Sequence, residues 1–91
     1  MNKTLAQLKR DLQVGTKLKV LDHIRQDQIG IIKTITKKQS NGIYTNTETD
    51  PREFWLEIPS ASLVEYNDNI FSFYLDKDRK LITMQILKGE N

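Results

Sequence analysis

The stretch Phe54 to Tyr66, FWLEIPSASLVEY, decides how this chain is read. Aromatic and β-branched residues favour a strand, and strand side chains alternate between faces. Phe54, Leu56 and Ile58 then share one face, and Trp55 and Glu57 the other. Pro59 has no N–H to give to a ladder, so the first strand ends there and a second begins near Leu63. Two short strands split by PSAS point to a β-rich fold. They also set the chain's only tryptophan on a charged face. Either the N-terminal helix covers that indole, or it is left for a partner.

Upstream, NTETDPRE is a polar loop punctuated by Pro51, and Ser40 to Gly42 (SNG) is a hairpin signal, because Asn and Gly tolerate positive φ. The hairpin joins IGIIKTITKK, a strand in which Gly30 marks a bulge or bend, to Ile43–Thr47. Before it, TKLKVLDHI reads with period two: Leu18, Val20 and Ile24 point one way, and Lys17, Lys19, Leu21 and His23 the other. The first segment, TLAQLKRDLQVG, reads as a helix over 4–13. Thr4 is its N-cap, Leu5, Leu8 and Leu12 form its stripe, and Gly15 is its stop. Downstream, YNDN turns the chain and IFSFYL directs Phe71, Phe73 and Leu75 inward, with Ile70, Ser72 and Tyr74 outward. DKDRK turns it again, and Ile82, Met84 and Ile86 make a last stripe.

With 91 residues the chain suits one domain over 1–91, a helix followed by a β-rich region over 16–88 that buries nearly every apolar residue it has. Apolar runs fall far short of the roughly 20 residues a bilayer requires, and residues 1–14 lack the apolar centre of a signal peptide, so a cytoplasmic protein without membrane contact is expected. There is no cysteine, which removes disulfides, thiolate chemistry and Cys-based zinc sites. The net charge of +2 is segregated: residues 1–38 sum to +6, residues 39–76 to −6, and the remainder to +2. Such halves either neutralise each other in the fold or steer partners.

In its order of elements, VGTKLKVLDH…IGIIKTITKKQSNGIYT…FWLEIPSASLVEY resembles an SH3-like barrel, with IPSASLVEY similar to the short 3₁₀ turn before a last barrel strand. The resemblance implies an N-terminal helix capping a small antiparallel barrel of six to seven strands; the added hairpin Ile70–Ile86 allows a bent meander instead. The helix, the VGT start, the QSNG turn and the WLE.P.A segment also resemble a family of small phage and plasmid proteins of Gram-positive bacteria. That likeness implies a mobile-element context and no particular activity.

Catalysis has little to work with. His23 is the only histidine and stands on an expected outer strand face, where a lone imidazole is ordinarily just solvated. DKDRK has the opening carboxylates of a calcium loop but neither its glycine nor its later ligands, so it reads as a turn. No glycine-rich phosphate loop follows a strand. A binding protein without catalytic residues, cofactor or metal is therefore expected.

Two surfaces are candidates. Trp55, Tyr44 and Tyr74, the outward aromatics, with Arg52 beside them, have the composition of a protein interface, an aromatic anchor within a polar rim. Lys17 and Lys19 on one face of the first strand, Lys33 and Lys37 sharing a face of the next, and Lys38 at the hairpin tip would suit nucleic-acid phosphates if those faces join. Surface lysines also merely solvate or protect sheet edges, and Glu53 and Glu57 beside Trp55 would repel phosphate, which favours a protein partner. The protein is expected as a monomer, or as a homodimer through the strand face of Trp55.

Overall fold

A computed structural model describes residues 4–87. The ends of the expected 1–91 domain, and position 88 at the close of its β region, lie outside them. The helix α1 spans Leu5–Asp11. Thr4 caps it, its hydroxyl accepting the Gln7 N–H at 3.1 Å. It ends sooner than the expected 4–13, since Leu12 leaves helical geometry and Gly15 adopts φ +94°. Leu8 and Leu12 are nevertheless fully buried, as the stripe requires.

Seven strands follow: β1 (Lys17–His23), β2 (Ile32–Gln39), β3 (Gly42–Asn46), β4 (Phe54–Glu57), β5 (Val64–Asn67), β6 (Ile70–Asp76) and β7 (Arg79–Leu87). A 3₁₀ turn at Gln26–Gln28 separates β1 from β2, and another at Ala61–Leu63 separates β4 from β5. All pair antiparallel in one sheet of order β4-β3-β2-β1-β7-β6-β5.

The protein is thus mainly β, with a short N-terminal helix and a seven-stranded antiparallel sheet. The barrel closure implied by the SH3-like resemblance is not present: β4 and β5 are the two edges, and no ladder joins them. Pro59 and the Ala61–Leu63 turn occupy the crossing where closure would start, and proline has no donor for a ladder. The sheet is still curled. Residues 58–63 must carry the chain from edge to edge, a reach of at most about 25 Å, whereas seven flat strands would set those edges about 29 Å apart.

The concave face holds the core. Leu18 and Val20 of β1, Ile35 of β2, Ile43 of β3, Tyr66 of β5, Phe71 and Phe73 of β6 and Met84 of β7 are all buried there with Leu8 and Leu12. The expected stripe Ile82, Met84 and Ile86 is buried, and so are Phe71 and Phe73. Leu75 is 47% exposed, because register shifts between Phe73 and Asp76 undo the alternation that would have turned it inward. Ser72, expected outward, is buried with its hydroxyl 2.8 Å from that of Thr83.

Two more irregularities matter for function. β1 slips between Val20 and Asp22, and β2 slips between Ile35 and Lys37. Each extra residue rotates everything beyond it to the opposite face.

Candidate functional site

The register answers the question of the tryptophan. Trp55 lies opposite Tyr44, on the convex face of the sheet. The rings are 5.0 Å apart between centroids and tilted by 55°, a geometry that suits the quadrupoles of two aromatic rings. The helix packs against β5, at the other end of the strand order, and leaves Trp55 40% exposed.

The indole is held from beneath by a glycine. Gly42 is not in the left-handed region, so the expected reason for SNG, positive φ, does not hold at this position. Space is the reason: a Cβ at Gly42 would collide with the indole and sit 2.7 Å from the Leu56 carbonyl oxygen. The edge tryptophan thus lies diagonally over a bare backbone, as aromatics do where they shield a glycine near a sheet edge.

Around this pair the charges are mixed. Lys37 lies 5.6 Å from the Tyr44 ring centroid and 3.8 Å from a Glu53 carboxylate oxygen. Arg52 grips Asp50 with two donors, Nε at 3.0 Å and Nη2 at 2.8 Å, and its guanidinium lies 5.5 Å from the Phe54 ring. Those bonds from Arg52 hold the Asp50 carboxyl below the usual carboxylate range. Phe54, on the concave side of β4, is 48% exposed. The short edge therefore shows a large ring on each face.

Tyr74 does not join them. It sits on β6, beside the far edge, and donates to Glu65 at 2.8 Å with Lys80 5.7 Å from its ring. The bond to Glu65 raises its phenol pKa.

The lysines divide between faces. Lys17 pairs with Thr34, Thr34 with Asn46, and Lys37 with Tyr44, so Lys17, Lys19 and Lys37 share the convex face with Trp55. Lys33 pairs with Leu18 and Lys38 with Ile43, which puts both on the concave side. Lys38 there donates to the Lys9 carbonyl near the end of α1. The expected common face of Lys33 and Lys37 is corrected by the β2 bulge. His23 is corrected likewise: the β1 bulge sets it opposite Ile82, on the concave face.

Sequence reading missed Phe54 as a surface residue and Gly42 as a platform. The available signal was a glycine two positions from Tyr44, in a strand facing the only tryptophan.

Among the described residues no group of three or more His, Cys, Asp or Glu is placed to hold a metal ion. No described helix is long and apolar enough to cross a membrane. Fold and site together define a small, mainly β protein built on one open antiparallel sheet with an aromatic edge. No known protein family, curated protein or solved structure matches the chain.

Proposed function

We propose that this chain is a non-catalytic binding module, an accessory protein of a phage or other mobile element that works in the cytoplasm by contacting another protein. The observation that carries the reading is Trp55 packed on the half-buried Tyr44: its indole is exposed, held over Gly42, and seated on an edge strand. Such a ring has already lost most of its freedom before binding, so burying it against a partner costs little further entropy. Arg52 and Phe54 form one rim, and Glu53 and Glu57 supply acidic neighbours that a protein surface can match. The SH3-like resemblance of the sequence is compatible with a binding role, although a fold alone assigns none.

Nucleic acid is the second reading, carried by Lys17, Lys19 and Lys37 standing on the same convex face as the two rings. One experiment separates the readings. A photo-crosslinking amino acid at position 55 is expected to give a discrete protein adduct in extract of the host cell, while the same residue at position 74 gives none. Adducts of nucleic acid, or a Trp55 emission change on adding single-stranded DNA that salt abolishes, would overturn the protein reading. An adduct between two copies of this chain would replace it with a homodimer.

A further inference from the structure

Beyond the β1 bulge, a cleft of ≈ 570 Å³ opens among the end of β1, the β1–β2 connection, the start of β2, the loop before β4 and β4 itself. Its volume falls within the range of small-molecule sites. Lys33 lines it, half-buried and opposite Leu18. Withdrawal from water lowers the Lys33 pKa, the sign of an ammonium without compensation. Of the carboxylates nearby, Asp50 lines the cleft but is gripped by Arg52, Asp27 pairs with Arg25 at 3.2 Å, and Asp22 accepts the backbone N–H of His23 at 3.0 Å. Among the described residues Lys33 has no ion-pair partner.

The other lining groups also offer donors. The Nδ1 of His23 accepts the Arg25 N–H at 2.9 Å, which leaves the proton of the neutral ring on Nε2. The hydroxyl of Thr47 accepts the Asp50 N–H at 3.1 Å and shares a 3.4 Å hydrogen bond with the Thr49 hydroxyl, so one of these two hydroxyls keeps a proton to give. An ammonium, an imidazole N–H and a hydroxyl arriving from three separate segments match the several oxygens of a tetrahedral anion better than the two of a planar carboxylate.

We propose that this cleft is a binding site for a small phosphate-bearing ligand, with Lys33 as the charged contact and His23 and the Thr47–Thr49 hydroxyl pair as neutral donors. Phe54 and Trp55 form part of the wall, so the cleft borders the aromatic edge, but its donors lie outside that pair and the proposal does not rest on the protein-binding reading.

The test is a two-dimensional ¹H–¹⁵N NMR titration of the full-length protein with inorganic phosphate near neutral pH, ionic strength being held constant with chloride. Saturable shifts are expected at His23, Lys33, Thr47 and Thr49. Lys33→Met should weaken binding about tenfold, the scale of one lost charge-assisted contact, and its own spectrum reports that the fold is intact. His23→Gln should weaken it less, and Lys77→Met, at the β6–β7 turn, should leave it unchanged. Three results would overturn the site: shifts that never saturate, phosphate affinity that survives Lys33→Met, or acetate binding as tightly as phosphate.

Discussion

The two edge strands have the same length and opposite fates. β5 is covered: α1 packs on it, Tyr66 is buried, and the Tyr66 hydroxyl donates to Asp11 at the end of the helix. β4 is open, with Phe54 on one face, Trp55 on the other, and no helix over either. An edge is closed where an apolar stripe and a polar latch reach the same strand. With neither, the edge remains available, which is why the binding site is assigned to β4.

The sharpest way to break this contrast is to open β5. Leu8→Ala removes a fully buried side chain from beneath the helix and should cost roughly 2–5 kcal/mol. In urea melts the midpoint should fall, and dye binding should report a newly exposed apolar surface. An unchanged midpoint would mean that α1 does not cover the β5 edge in solution.

Next comes the latch. Tyr66→Phe deletes the bond to Asp11, worth roughly 1.5–3 kcal/mol when the acceptor is charged. Burial, then Asp11, raises the Tyr66 pKa above its ordinary 10.0. With the folded value above the unfolded one, this contribution is complete below pH 10 and declines as the pH climbs beyond it. The gap in stability between wild type and Tyr66→Phe should therefore narrow in alkali. A constant gap from neutral to strongly alkaline pH would contradict the assignment.

At the open edge the corresponding change is Gly42→Ala. The indole tip can swing away, but the Leu56 carbonyl belongs to the backbone and cannot. A loss of roughly 1–3 kcal/mol is expected, together with a red-shifted, more quenchable Trp55 emission. Emission identical to wild type would show that the ring does not rest on Gly42.

The smallest effect has the opposite sign. Lys33→Met keeps the chain length and removes an uncompensated ammonium, so in the absence of ligand it should stabilise the fold near neutral pH. The gain is on the order of 0.5 kcal/mol, since solvent in the cleft already screens much of the charge. A depressed lysine pKa penalises the fold while the ammonium is charged, and the penalty lifts as the pH rises through the folded value toward the ordinary 10.5. The advantage of the variant should accordingly fade in alkali, as thermal melts at two pH values would show.

Most elements were legible in the sequence, because each rests on local chemistry. Thr4 with Gln7, the period-two runs and the turns around Ser40, Asp68 and Lys77 all stand where their residue types place them. Faces were legible only as far as the first irregularity. Leu18 and Val20 point as alternation requires, whereas His23, beyond the β1 bulge, does not. Lys33 was misjudged in relation to Lys37 because nothing in KTITK marks Thr36 as the extra residue; the slip is set by pairing with β3. Trp55 was placed on the correct face, but its cover depended on where α1 lands, a long-range matter that a leucine stripe leaves open. Closure failed for a similar reason: local order resembles a barrel, but β6 and β7 lie between β1 and the edge strand β5.

The pairing of β1 with β7 also has a consequence for how the molecule is made. β1 and β7, the first and last of the described strands, lie side by side at the middle of the sheet, while β4 and β5 form its rims. A nascent chain can assemble β1 to β4 as a meander, but one flank of β1 then stays bare until β7 has been made. Contacts so distant in sequence close slowly, and an unpaired flank invites pairing with another nascent chain in the interval. The lysines of β1, read above as candidate contacts for a partner, are also the residue type that makes a bare strand flank unattractive to its neighbours.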